Sequence, residues 1–321
     1  MDTYDTRNSL ISIVIPVYNE EDNVRLIAKR LIELLQDENL EILFIDDGSS
    51  DATLAILREL SAYPSIQYLS FSRNFGHQNA IKAGFDFAEG DCVITMDGDL
   101  QHPVELLPQM IAMWREGADV VNTRRIKAAS PSWFKKFTTF CYYKIFSWCA
   151  TLPIEPGTAD FRLLDRKIVK LCKNAKSDVF FWRGFIPWLG FRQEFIDYEP
   201  NVRTHGTSKY KLKKMLHLAW SGISSFSLLP LRLAGLLGTL GLLASGMYFC
   251  YILWVYIHGL AVSGWSSLML TILFFSSIQL ISLGVVGEYI GKIYMSTKQR
   301  PNYILNETSL CTSSQNGQME R

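Results

Sequence analysis

From residue 233 to residue 287 the chain carries no Asp, Glu, Lys or Arg. No other feature of its 321 residues restricts the fold as strongly. The run divides at HGLAVSG (258–264) into LAGLLGTLGLLASGMYFCYILWVYI (233–257) and WSSLMLTILFFSSIQLISLGVVG (265–287). Each half is long enough to cross a hydrocarbon core of about 30 Å as a helix. A hairpin buried in a soluble core would instead need both helices enclosed on every side. Tyr248, Tyr251, Trp254, Tyr256 and Trp265 gather near the hairpin tip, where an interfacial aromatic belt would put them. The run predicts two membrane spans.

Flanking charge sets the expected orientation. Arg203, Lys209, Lys211, Lys213, Lys214 and Arg232 precede the run, Lys292, Lys298 and Arg300 follow it, and the connecting loop has no Lys or Arg. The positive-inside bias puts both termini and the N-terminal domain in the cytoplasm of a multi-pass inner (plasma) membrane protein. MDTYDTRNSL at the start has neither a basic nor an apolar segment, so no secretory signal is expected. Six scattered cysteines without a CxxC pair read as small buried hydrophobes in a reducing compartment. A net charge of +1 gives no footprint for nucleic acid.

The first two hundred residues alternate. LISIVIPV (10–17) is a continuous apolar run rich in β-branched residues, the mark of a strand buried on both faces. A helix follows over 19–35 with Asn19 as its N-cap. Strands over 40–46, 65–71, 91–97 and 118–123 then alternate with helices over 51–60, 77–90 and 103–117. Such alternation predicts an α/β fold, a mainly parallel sheet with helices on both faces. Ligands in these folds bind beyond the carboxyl ends of the strands. Four successive strand ends read PVYNEE, DDGSSD, SRNFGH and DGDLQHP. One acidic turn is ordinary; four polar ends on one sheet edge predict a site. The tail beyond Asn302 is expected to be frayed.

Two carboxylates separated by one glycine, Asp97 and Asp99, repel unless a cation lies beside them. Hard divalent ions such as Mg2+ or Mn2+ take oxygen ligands, and Mg2+ is often held by one or two carboxylates plus substrate phosphates. The acidic pair therefore predicts a metal–diphosphate site, with a capped turn before the 103–117 helix as the plainer alternative.

The ordered set IVIPVYNEE, FIDDGSSDAT, SRNFGHQNAIKAGFDFAEGD and TMDGDLQHP resembles family-2 glycosyltransferases. With TADFRLLDR, WRGFIPWLGFRQ, RTHGTSKYKL and the two spans, the whole chain looks like the bacterial polyisoprenyl-phosphate glycosyltransferases. Dolichol-phosphate mannose synthases and bactoprenol glucosyltransferases are members of that group. The resemblance implies a Rossmann-like fold of GT-A type over 1–200, a juxtamembrane amphipathic region over 201–232, spans over 233–257 and 265–287, and a cytoplasmic tail over 288–321.

It also implies roles. Pro16, Tyr18, Glu20, Asp47, Arg73, Asp97 and Gln101 would serve the nucleotide sugar, and Asp97 with Asp99 the metal. His77 stands where relatives often carry Lys, and reads as a neutral helix-start residue. Arg124, Lys135, Arg162, Arg203 and Lys209 fall in motifs for acceptor phosphate or donor diphosphate, with Arg125 an alternative to Arg124. Asp160 and Asp99 are the catalytic candidates, Asp160 either as base or as the group that orients the acceptor. Ala159 replaces the glycine usual before that acid.

The implied reaction is inverting transfer of a sugar, best read as glucose from UDP-glucose, to undecaprenyl phosphate at the cytoplasmic membrane face. GDP-mannose or another UDP-sugar is the alternative donor. A processive polysaccharide synthase and a non-catalytic membrane adaptor are lesser readings. The segments 130–152 and 221–233 read as amphipathic helices in the headgroup plane, with core packing the alternative. Gly235, Gly238, Gly241 and Gly246 permit close helix contact, and a homo-oligomer is expected.

Overall fold

The computed structural model describes residues 9–125, 158–175, 182–199, 229–258, 264–298 and 300–310. The chain divides into two compact units. One comprises the described residues of Met1–Lys136, Leu152–Lys209 and Arg300–Arg321, the other those of Tyr210–Gln299.

The first unit is built on an eight-stranded sheet. Its strands are β1 (Leu10–Val17), β2 (Asn39–Asp46), β3 (Ile66–Phe71), β4 (Cys92–Thr95), β5 (Val120–Arg125), β6 (Thr158–Asp165), β7 (Gln193–Tyr198) and β8 (Leu305–Thr308). They lie in the order β7-β5-β6-β4-β1-β2-β3-β8. β1 pairs in parallel with β2 and β4, β2 with β3, and β5 with β7. β6 runs antiparallel between β4 and β5, and β8 antiparallel along β3. The sheet is therefore mainly parallel, the class expected from the alternation.

Residues 11–17 of β1 are all buried, which explains why that strand reads as an unbroken apolar run. Ile11, Ile13 and Ile15 join Val24, Ile27 and Leu31 of α1 (Glu21–Leu34), Leu57 of α2 (Thr53–Leu60) and Met110 of α4 (Leu107–Arg115) on one face. On the other, Val14 packs with Ile81 and Phe85 of α3 (His77–Phe87), Ile168 of α5 (Arg166–Asn174) and Ile186 of α6 (Trp182–Trp188). Period-two alternation along each strand feeds both layers. A 3-10 turn, Val104–Leu106, precedes α4.

Two local expectations are corrected. Asn19 does not cap α1: it sits at φ 56° and its Oδ1 accepts from Ser50 N at 2.8 Å, tying the β1 loop to the β2 loop. The tail beyond Asn302 is not frayed throughout, because residues 305–308 form β8 and complete the sheet. Cys92 and Cys172 are buried thiols as expected, whereas Cys250 is exposed.

The second unit holds α7 (Leu229–Ile257) and α8 (Trp265–Thr297). At about 1.5 Å per residue each exceeds the thickness of a hydrocarbon core. Their most apolar windows, Ala234–Tyr251 and Phe274–Gly291, both have mean hydropathy 1.3 and bury none of their described residues. Exposed Leu237, Leu240, Leu243, Phe274 and Leu283 are unlike the inside of a soluble core. The segment 130–152, and residues 221–228 of the second amphipathic stretch, lie outside the described residues.

Candidate active site

Parallel strands deliver their last residues to one edge, and antiparallel β6 brings its first residues to that same edge. The ends of β1, β2, β3 and β4 meet there with Asp160 at the start of β6.

The β1 and β2 loops are stitched together. Besides the Asn19 contact, Glu20 N donates to Thr53 Oγ1 at 2.9 Å and Ala52 N to Glu21 Oε2 at 2.8 Å. Glu20 accepts from Asn23 Nδ2, and Tyr18 is 47% exposed. Asp46 is structural, accepting from Ser49 N at 2.9 Å and Ser70 Oγ at 2.7 Å. Asp47 instead accepts from Phe75 N at 2.6 Å and Gly76 N at 3.0 Å, fastening the loop after β3. Burial pushes the Asp47 carboxyl up, against the lowering effect of those two amides. Gly48 lies at φ 71°, and a side chain there would meet the Arg73 backbone at 2.5 Å; only glycine suits both demands. Arg73 itself is exposed, its guanidinium 4.1 Å above the Phe75 ring.

After β4 the chain turns sharply through Asp97, Gly98 and Asp99. A Cβ on Gly98 would lie 2.8 Å from Val17 Cγ1 and 3.2 Å from the buried Pro16 carbonyl. The glycine lets the acidic turn rest directly on β1. Leu100 follows at φ 59°, an uncommon conformation for a bulky residue and one that clusters at functional sites. Asp99 Oδ1 accepts from Gln101 N at 3.1 Å, and Gln101 Oε1 accepts from Arg125 at 3.1 Å.

Two histidines flank Asp97. Buried His102 accepts from Asp97 N through Nδ1 at 3.1 Å, while its Nε2 lies 3.6 Å from Asp97 Oδ2. Its ring stacks on Phe161 at 4.9 Å and meets Tyr198 edge-on at 6.1 Å. Burial pushes its pKa down despite Asp97, Asp99 and Asp160 nearby. The neutral ring thus pins the backbone of the acidic turn. His77 Nε2 stands 3.4 Å from Asp97 Oδ1 and 3.8 Å from Asp160 Oδ2, a bridging place that its reading as a helix-start residue did not foresee.

Asp160 is 6% exposed and held by two arginines. Arg183, on α6, forks onto it with Nε to Oδ1 at 3.1 Å and a terminal nitrogen to Oδ2 at 2.9 Å. Arg162 reaches Oδ1 at 3.2 Å. Burial raises the carboxyl pKa, but the guanidinium groups of Arg183 and Arg162 overcome it and hold the group well below the usual range. Such a carboxylate is a weak base and a firm anchor.

The expected cations are placed differently from one another. Arg162 is 1% exposed and reaches Asp160 through one terminal nitrogen, while its other terminal nitrogen is buried with no hydrogen-bond partner among the described residues. Arg124 forks onto Asp197 at 2.6 and 2.9 Å. Lys135, Arg203 and Lys209 lie outside the described residues. Arg183 and His102 were missed, although both stand inside the motifs WRGFIPWLGFRQ and TMDGDLQHP. The sharpest clue to Arg183 is spatial: its side chain is 46% exposed while its partner Asp160 is buried.

Hard divalent ions take six or more oxygens. Among the described residues no cluster of three or more His, Cys, Asp or Glu is suited to a metal. Asp97 and Asp99 instead offer two partly exposed carboxylates on one turn. They fit a half-site completed by substrate phosphates and water rather than a closed protein cage.

Proteins of known sequence and structure are similar to this chain. The profile of Glycosyl transferase family 2 matches residues 12–171. The chain is 44% identical over 310 residues to the uncharacterized glycosyltransferase YkcC of Bacillus subtilis, covering 94% of this chain and 95% of that one. It is 39% identical over 302 residues to the bactoprenol glucosyl transferase of Shigella phage SfX, covering 92% of this chain and 98% of that one. Among solved structures, glucosyl-3-phosphoglycerate synthase from Mycobacterium tuberculosis, in complex with Mn2+, UDP and phosphoglyceric acid, aligns over 70% of this chain and 80% of its own, at 18% identity and a TM-score of 0.45.

Proposed function

The chain belongs to glycosyl transferase family 2, and from that premise we propose that it transfers glucose from UDP-glucose to undecaprenyl phosphate, with inversion, at the cytoplasmic face of a membrane. The observation that carries this reading is the meeting, on one sheet edge, of the Asp97–Asp99 turn with the Asp160–Arg183 pair. One group suits a metal-bound diphosphate and the other an anionic acceptor. The likeness to a bactoprenol glucosyl transferase supports the choice of sugar and lipid. The two apolar helices support a membrane-held enzyme, with a lipid acceptor and a soluble donor brought together by proximity. β8 supports the sidedness: strands from before and after the helix pair share one sheet, as an even number of crossings requires. The open surroundings of Gly235, Gly238 and Gly246 leave room for a homo-oligomer through α7.

In this reading Asp97 and Asp99 hold Mg2+ or Mn2+ on the donor. When bound, the cation neutralises charge on the departing nucleoside diphosphate. His102 fixes the Asp97 backbone, and Gln101, steadied by Arg125, borders the same turn. Tyr18 offers its exposed ring to the nucleobase, with Pro16 and Glu20 beside it, and Arg73 serves the diphosphate. A phosphate monoester has its second pKa near about 6 and is mostly ionised at neutral pH. The acceptor oxygen therefore needs no strong base. Asp160 holds Arg183 toward the acceptor phosphate as a positioning residue, and Arg183 is the cation that touches it.

The test uses purified full-length enzyme with radiolabelled UDP-glucose and undecaprenyl phosphate. Label should enter a lipid carrying one sugar, and excess EDTA should abolish transfer. Transfer from GDP-mannose instead would replace the donor, polymer would point to a processive synthase, and full rate in EDTA would overturn the metal assignment.

A further inference from the structure

We propose that residues 303–310, which return to the sheet after α8, form a positioning element for the donor site, acting through the loop 72–76. The proposal deepens the reading above, since it takes a nucleoside diphosphate as the ligand of that loop.

The segment packs on the strand that leads into the loop and on the helix that follows it. β8 pairs Ser70 with Glu307 and Phe71 with Leu305, with a register shift between them. Ser72 N then donates to Ile304 O at 3.0 Å. A bulge bends the strand that carries the extra residue; here that residue is Asn306 of β8, and beyond it Ile304 meets the first residue of the Arg73 loop. Tyr303 stacks on Phe71 with centroids 5.1 Å apart and planes at 14°. Phe71 in turn meets Phe75 edge-on at 5.8 Å. Tyr303 Oη also donates to Asp86 Oδ2, in the last turn of α3, at 2.8 Å. Asp86 lies on α3, the helix that begins at His77 immediately after the loop.

The loop matters to the site because it supplies the Phe75 and Gly76 amides to Asp47 and carries Arg73. Gly48 leaves no gap between the loop and the acidic turn after β2. A displacement of Phe71 therefore reaches Asp47 through packed groups and not through solvent. The register of the segment is fixed from the opposite side. Arg58 forks onto Glu307 at 2.8 and 2.5 Å, and Tyr68 Oη donates to the same carboxylate. A slip of one residue would turn Glu307 away from both partners.

Three full-length proteins test the inference: wild type, Tyr303→Ala, which removes both stack and hydroxyl, and Tyr303→Phe, which keeps the stack. Leu31→Ala, a core change on the opposite face of the sheet, controls for general loss of stability. Hydrogen exchange reports the loop without reference to any ligand. Tyr303→Ala should speed exchange at Phe75 and Gly76 by about ten-fold or more while α1 keeps its protection. UDP titration with Mn2+ should weaken by about five-fold or more in Tyr303→Ala and by less than about two-fold in Tyr303→Phe, with KM for the donor rising more than kcat falls. Unchanged protection of Phe75 and Gly76 overturns the proposal. So does an equal effect of Leu31→Ala on exchange in the loop. A wild type that binds GDP but not UDP overturns only the donor assignment, and the same variants are then compared on GDP.

Discussion

Replacing Asp160 with Asn separates a charge that anchors from one that takes a proton. Asp160 and Arg162 are 6% and 1% exposed, so the neutral amide would leave the Arg162 guanidinium buried without its counter-charge. Removing one partner of a buried pair costs about 3–5 kcal/mol. In a unit of about 200 residues each kcal/mol moves Tm by about 2–4 °C, so the variant should melt about 6–20 °C below wild type. Arg162→Met alone should cost less, because Asp160 keeps its fork to Arg183. The double variant Asp160→Asn/Arg162→Met removes the stranded charge and should recover most of the loss, to within about 1 kcal/mol of Arg162→Met. Thermal unfolding followed by tryptophan fluorescence in detergent, with transfer assays on the same preparations, reads both effects. Asp160→Asn should bind UDP but transfer slowly, and the double variant should regain stability without regaining transfer. A melt of Asp160→Asn within about 2 °C of wild type, or a double variant less stable than Asp160→Asn, would refute the buried-pair argument.

The acid side follows from the same pair. Its folded carboxyl is held below the usual value, so its stabilisation is complete above the unfolded pKa of about 3.9 and fades only as pH falls toward the lower folded value. Stability and transfer should therefore show no limb from Asp160 between about pH 5 and 8, and a titration there that vanishes in Asp160→Asn would contradict this. Gly98→Ala forces a methyl against Val17 and Pro16; it should cost about 1–3 kcal/mol in denaturant titrations and slow transfer about 100-fold by shifting the acidic turn. His102→Phe keeps the stack on Phe161 but strands the Asp97 N–H. It should cost about 1–3 kcal/mol and weaken Mn2+-dependent binding of UDP, as calorimetry would show. Arg183→Ala should raise KM for undecaprenyl phosphate at least about ten-fold with UDP affinity unchanged, and Arg183→Lys should restore part of it.

β1 to β4 are legible because each is a short, mainly apolar run followed by a polar turn, and the acidic edge emerges once those runs are stacked in parallel. β6 is harder to read. Nothing local in TADFRLLD says that the strand runs backward between β4 and β5, yet only that direction returns Asp160 to the edge where β4 ends. Once the strand is recognised, its period of two places Asp160 and Arg162 on one face, which is why Arg162 pairs with the acid. Arg183 comes from a helix more than twenty positions away, and no local pattern joins it to Asp160. β8 hides for another reason. LNET is short and polar because an edge strand needs no apolar face on its outer side, and its partners are single contacts such as Arg58 with Glu307.

The place of β8 sets an order of manufacture. Roughly 230 residues separate Phe71 from Leu305, so at about 5–20 residues per second a ribosome needs roughly 10 to 50 seconds to reach the strand that covers β3. Throughout that interval the β3 edge stands bare, a template for pairing with other chains. Both apolar helices are translated before the cover arrives. A polypeptide stopped within the hairpin keeps its edge open for good and is marked for aggregation or proteolysis. Closure of the sheet thus certifies that translation has passed beyond the second helix.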